Sequence, residues 1–190
     1  MNYNYDIEKT NPVNIIYILG AGHCGSTLLS LCLDRHSSVI GLSEIITLNR
    51  KSPGWSGSKF VLSDKFWSDV NRDMREKYNE RLTEVPFNLR KSSSTNHQAL
   101  KRNKIALDSI LNISGKSIIC DSSKDSKRLD VLLGSKLFKV KVIYLVRDGR
   151  AIVHSYRRKY GSWLPGWFNL TSTDRAASKL KKKFGGNNWL

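Results

Sequence analysis

The sequence predicts an α/β protein, a P-loop-like parallel sheet flanked by helices. Strand-like runs alternate with helical ones, the pattern of a parallel sheet with crossover helices. The strongest turn signals, GAGHCGS at 20–26, DSSKDS at 121–126 and RDGR at 147–150, each follow an expected strand. Ligands of such sheets bind at the carboxyl ends of the strands, so the three turns are expected to share one rim.

Each element has its own signal. Residues 13–19 are apolar and β-branched, a buried strand. Residues 26–35 place apolar side chains at 28, 29, 31, 32 and 33, which suits a largely buried helix. A short β-leaning run at 38–42 leads into Glu44. KSPGWSGS at 51–58 reads as a loop from its Pro, Gly and Ser content. Residues 59–82 and 97–113 read as helices, with the low-complexity linker KSSST between them. A strand at 116–120 follows the Ser114-Gly115 turn, then a helix at 124–133. The clearest strand is 140–146, followed by a helix at 149–160. SWLPGWFN at 162–169 reads as a loop or short packed segment, and 174–184 as a basic helix.

At 190 residues, one domain spanning 1–190 is expected, with 51–113 as a helical insertion. Lys and Arg total 32 against 16 Asp and Glu, a formal charge of +16. Such an excess favours anionic partners: nucleic acid, acidic polymers or phosphorylated cofactors. No run approaches the roughly 20 apolar residues of a membrane span, and the start lacks a secretory pattern. A cytoplasmic protein is therefore expected. Cys24, Cys32 and Cys120 form no CxxC pair, and the four histidines lack ligand spacing, so no metal site is expected.

The first turn admits several readings. Gly20-Ala21-Gly22-His23-Cys24-Gly25 fits the dinucleotide fingerprint GxGxxG, and Glu44 lies where a ribose-binding carboxylate would be sought. That reading makes an NAD(P)-binding oxidoreductase. The same span has the spacing of a nucleotide P-loop, but Ser26 stands where its lysine should be. Both readings share one physical basis. Backbone N–H groups at a helix start attract an oxyanion, and Ser26 and Thr27 add hydroxyl donors. In the last turn Arg147 ends a strand, and Ser155 follows eight residues later on a helix. The two can converge on a second phosphate, the arginine through forked charge-assisted bonds.

Together the motifs resemble a known family. The first loop is similar to the 5′-phosphosulfate loop of the sulfotransferases that use 3′-phosphoadenosine 5′-phosphosulfate (PAPS). VRDGRAIVHS at 146–155 resembles their 3′-phosphate motif, in wording most like the tyrosylprotein sulfotransferases and their bacterial relatives. LDRHSSVIGLSE at 33–44 and DSSK at 121–124 resemble further stretches of the same family. There are departures. His23 stands where the family usually has Lys or Arg, and Cys24 where it has Ser or Thr. The chain is also shorter than usual, so a C-terminally short or incomplete version of the fold is expected.

The resemblance implies transfer of a sulfuryl group from PAPS to a hydroxyl or amine on a small molecule, sugar or peptide. No metal and no specific nucleic acid are implied. Gly22, His23, Cys24, Gly25, Ser26, Thr27 and Leu28 would wrap the 5′-phosphosulfate. His23, in protonated form or with an N–H aimed at the leaving oxygen, and Glu44, as general base, would be the catalytic pair. Arg147 and Ser155 would hold the 3′-phosphate. Lys124 can add charge nearby, and 51–113 would contact the acceptor. His36 and His97 read as helix-end residues, and His154 as facing away from Ser155. A non-catalytic module binding anions or nucleic acid remains the alternative from another class.

Overall fold

Residues 13–20 form the central strand because every second side chain can be buried on the same face. In the computed structural model, which describes residues 10–48, 64–89 and 96–190, β1 runs Val13–Gly20. Val13, Ile15, Tyr17 and Leu19 are buried in the large core, while Ile18 and half-buried Ile16 join a smaller cluster. The two clusters therefore divide by the period of two expected of a strand covered on both faces.

The remaining elements are α1 (Ser26–Asp34), β2 (Val39–Gly41), α2 (Asp64–Tyr78), α3 (Asn96–Ser114), β3 (Ile118–Asp121), α4 (Ser126–Leu133), β4 (Phe138–Leu145), α5 (Gly149–Tyr160) and α6 (Leu164–Phe184). All strand pairs are parallel, in the order β2-β3-β1-β4. Helices α2, α3, α4 and α6 supply the large core, including Met74, Leu107, Leu129 and Leu180. Leu29 and Leu33 of α1 pack on the smaller cluster. At the outer edge of β4, Leu190 N donates to Val142 O at 2.8 Å. The last residues thus cover part of an otherwise open edge.

The strand order bears on the open readings. In the common dinucleotide-binding sheets β2 lies beside β1. Here β3 lies between them. The dinucleotide reading of the glycine loop therefore lacks its usual sheet.

Two expectations are corrected. The segment 162–169 is not a loop: α6 begins at Leu164, with Pro165 in its first turn, and continues through the basic stretch to Phe184. Proline suits that position, where its missing N–H costs no helical bond. Second, α1 is not largely buried. Ser26 and Ser30 face inward, while Leu28, Leu31 and Cys32 are exposed. Gly41 explains the choice, because a Cβ there would lie 3.0 Å from Ser30 O and from Asp34 Cβ. Small residues let the helix ride close to the sheet, which turns its leucines outward. The loop expected at 51–58 and the KSSST linker lie outside the described residues.

Candidate anion-binding and transfer site

Three loops meet at the carboxyl ends of β1, β3 and β4, with the segment after β2 beside them. At the first, Gly25 precedes α1 in the left-handed region (φ 100°), and no side chain caps the first turn. A Cβ on Gly25 would meet nothing within 4 Å, so the approach to the helix start is open. An uncapped, open helix start with Ser26 and Thr27 in its first turn has the donor set that anions take.

Gly22 is held from outside the loop. Its N–H donates to Asn169 Oδ1 of α6 at 2.5 Å. A Cβ at Gly22 would overlap the Tyr156 hydroxyl, so close packing against α5 demands glycine here. The His23 ring rests on Tyr156 with centroids 4.5 Å apart and lies 5.9 Å from the Tyr160 ring.

Arg147 and Ser155 both reach His23. Arg147 Nη1 donates to the His23 carbonyl at 2.8 Å, and Ser155 Oγ lies 2.9 Å from His23 Nδ1. The fold thus brings the two sequence motifs together at one residue. Sequence reasoning expected the arginine and serine to converge, but not to meet on His23.

The third loop contributes a residue that had only a minor part in the sequence reading. Lys124 Nζ donates to Ser26 Oγ at 3.2 Å, to Ser122 O at 3.3 Å and, in a close ion pair, to Glu44 Oε1. The ammonium therefore joins the phosphate-type loop to the carboxylate expected as a base. Its signal was present in DSSKDS, but the spacing alone could not show that Lys124 turns toward Ser26.

A buried network fixes these loops. Asp121 ends β3 and pairs with Arg128 of α4 at 2.9 Å, both almost wholly buried. Its other oxygen accepts from Ser123 N at 2.9 Å and Ser123 Oγ at 2.5 Å. Ser123 Oγ in turn accepts from Ile46 N at 3.2 Å, two residues past Glu44. Arg128 Nη1 also donates to Phe87 O and Asn103 Oδ1. Neither the burial of Arg128 nor its partners follow from the sequence.

Backbone strain marks the same place. Among the described residues, four that are not glycine have positive φ, and His23 (63°), Ser43 (54°) and Lys124 (58°) all lie at this rim. Such conformations cost energy and persist where surrounding contacts hold them.

The electrostatics oppose a charged imidazole. Partial burial, then Lys159, Arg147 and Lys124, lower the His23 pKa from its ordinary value. Protonated His23 is therefore disfavoured. Tyr156 is pushed up, chiefly by burial, and remains a neutral phenol.

Cys24, Thr27 and Leu28 belong to the glycine loop and the helix start that follows it, whereas His36 and His154 have no hydrogen bond to this cluster among the described residues. Cys24 is buried, with its sulfur close to Gly20. His36 lies just past α1 and accepts from Ser38 N at 3.1 Å. His154 is exposed on α5. Thr27 and Leu28 are exposed at the start of α1. Among the described residues no group of His, Cys, Asp and Glu could hold a metal, and no helix is long and apolar enough to cross a membrane.

An open helix start, with Lys124 on Ser26 and Arg147 on the His23 carbonyl, sits on a parallel sheet of order β2-β3-β1-β4, and the protein is of the α/β class. Two solved structures share the fold. One is a sulfotransferase domain from the curacin biosynthetic pathway, with TM-score 0.60 and 16% identity over 95% of this chain and 67% of that one. The other is the sulfotransferase domain of the Synechococcus PCC 7002 olefin synthase, with TM-score 0.57 and 23% identity over 95% and 66%. The fold is of the sulfotransferase type, and the chain spans about two thirds of the length of each. No family model and no curated protein matches the chain.

Proposed function

We propose that the protein is a sulfotransferase that takes its sulfuryl group from PAPS and delivers it to a hydroxyl or amine. One observation carries the reading: His23 of the first loop meets Arg147 and Ser155 of the last. Two anion-binding motifs on one residue suit a donor with phosphate groups at both ends of its ribose.

The residues present fit such a donor. The helix start is uncapped and open, and the nearby side chains are hydroxyls, Arg147 and Lys124, the last paired with Glu44. Gly22 to Leu28 would hold the 5′-phosphosulfate through backbone N–H groups and the Ser26 and Thr27 hydroxyls. Arg147 and Ser155 would hold the 3′-phosphate. The donor, when bound, supplies a sulfuryl group already activated for transfer. The protein's part is then positioning and charge stabilisation.

Lys124 supplies the permanent positive charge that His23 lacks when neutral. A neutral imidazole can still donate. Ser155 has a single O–H: while it donates to Nδ1, the ring proton sits on Nε2. When it turns to the 3′-phosphate its oxygen accepts from Nδ1–H, so that Nε2 then donates only from the protonated ring. Glu44 accepts the proton of the acceptor group, and Lys124 holds the carboxylate in place.

The test is binding of adenosine 3′,5′-bisphosphate by calorimetry, with Arg147→Ala beside the wild type. The substitution is expected to weaken binding by about 2–3 kcal/mol, the scale of a charge-assisted bond. Adenosine 5′-phosphate, which lacks the 3′-phosphate, should barely register the change. Equal losses for both ligands, or no bisphosphate binding by the wild type, would remove the basis of the proposal.

A further inference from the structure

The corner between α5 and α6 presents a surface that the site does not use. Trp163, Leu164, Trp167 and Phe168 are 51%, 47%, 51% and 66% exposed. Positions 164, 167 and 168 fall on one face of the first turns of α6, with Trp163 just before them. The opposite side is pinned down. A Cβ at Gly166 would come within 3.0 Å of the Tyr156 ring, and Asn169 accepts from Gly22. The helix therefore cannot roll to bury its aromatic face.

The charge around this face has one sign. The last turn of α5 carries Arg157, Arg158 and Lys159, all exposed. Together α5 and α6 hold nine Lys and Arg against a single acidic residue, Asp174. All nine are exposed, and among the described residues seven of them form no ion pair, the other two being Arg150 with Asp148 and Lys183 with Asp130.

We propose that this corner docks on the surface of an anionic phospholipid bilayer. Exposed tryptophans, a phenylalanine and a leucine suit the boundary between headgroups and acyl chains, and the flanking basic residues suit negatively charged headgroups. Duplex nucleic acid would use the basic residues and leave the apolar quartet without a role. A single strand would also stack bases on the aromatic rings, so binding of a single-stranded oligonucleotide with none to vesicles would overturn the proposal. No described helix is long and apolar enough to span the bilayer, so α6 lies on the membrane. The same two helices carry Ser155, Tyr156 and Asn169, which places the site near the docked surface.

The experiment uses sedimentation with vesicles of phosphatidylcholine alone or with about one third phosphatidylserine, the anionic lipid of such surfaces. Tryptophan quenching by brominated acyl chains is read in parallel. Binding is expected on the phosphatidylserine vesicles only, weakening as salt rises. Trp167→Ala/Phe168→Ala should lower it at least tenfold, as it removes two inserted groups. Arg157→Gln/Arg158→Gln should lower it about fivefold per residue. Bisphosphate binding, measured in the same samples, should be unchanged in both variants, which separates this proposal from the sulfotransferase reading. Three outcomes would overturn it: no vesicle binding, binding indifferent to the aromatic substitutions, or an apolar face covered by a second copy in solution. If the aromatic variant loses its fold, the bromolipid quenching of the wild type decides: without quenching, no tryptophan enters the bilayer.

Discussion

Ser155 Oγ lies 2.9 Å from His23 Nδ1, joining residues 132 positions apart in the chain. The contact ties helix α5 to the glycine loop. The expected behaviour of His23 follows from its surroundings.

In the ligand-free protein the His23 pKa is lowered, by partial burial first and then by Lys159, Arg147 and Lys124. The folded state then binds fewer protons than the unfolded chain between that lowered value and the ordinary His value near 6.5. Stability therefore rises with pH across this window and falls as pH drops through it. An anionic ligand acts in the opposite direction and raises the imidazole pKa. Bisphosphate binding near pH 6 should take up protons, seen by calorimetry in buffers of different ionisation enthalpy. In His23→Asn the uptake should be smaller; an unchanged uptake would assign the proton to another group.

Gly22→Ala should destabilise the protein by about 1–3 kcal/mol, the range for forcing atoms into a packed space. The new methyl overlaps the Tyr156 hydroxyl. Tyr156→Phe removes that oxygen and should recover part of the loss. Urea unfolding of both single variants and the pair gives the coupling, and a strictly additive pair would mean that the clash lies elsewhere.

Lys124→Met should lower the rate of sulfuryl transfer about 10²–10³-fold, as for loss of one preorganised donor to developing charge. Affinity for the bisphosphate, which lacks the sulfuryl group, should change far less. Single-turnover rates with a panel of phenols, sugars and peptides, together with calorimetry, make the comparison. A large loss of bisphosphate affinity with the rate preserved would place Lys124 at the phosphates instead.

Arg128→Met should cost about 3–5 kcal/mol, because it leaves Asp121 buried without its cation. Arg128→Met/Asp121→Asn should recover part of that stability in urea. Transfer should remain poor in the double variant, since Asp121 also orders Ser123 and, through it, the backbone beside Glu44. Full activity there would show that the network serves stability alone.

Much of this protein can be read from local pattern. The alternation in β1 and the run 140–146 announce strands, and RDGRAIVHSYRRKY announces α5 with its bounds, Gly149–Tyr160. These signals survive because each depends on neighbours within one or two turns. The glycine loop, the arginine and the hydroxyls were visible for the same reason, as were Glu44 and the DSSK turn. Where the local signal was mixed, the reading failed. SWLPGWFN has turn residues, yet Gly166 there serves close packing on Tyr156, and Pro165 opens a helix.

Tertiary structure alone decided the rest. The order β2-β3-β1-β4 places β3 between β1 and β2, which brings Lys124 to Ser26 and Glu44. No local propensity encodes which strands pair, because pairing depends on how distant apolar faces are covered. The burial of Arg128, the outward turn of Leu28 and Leu31, and the lowered His23 pKa have the same origin. Each is set by groups remote in sequence, whose approach costs chain entropy and is repaid only when the whole core forms.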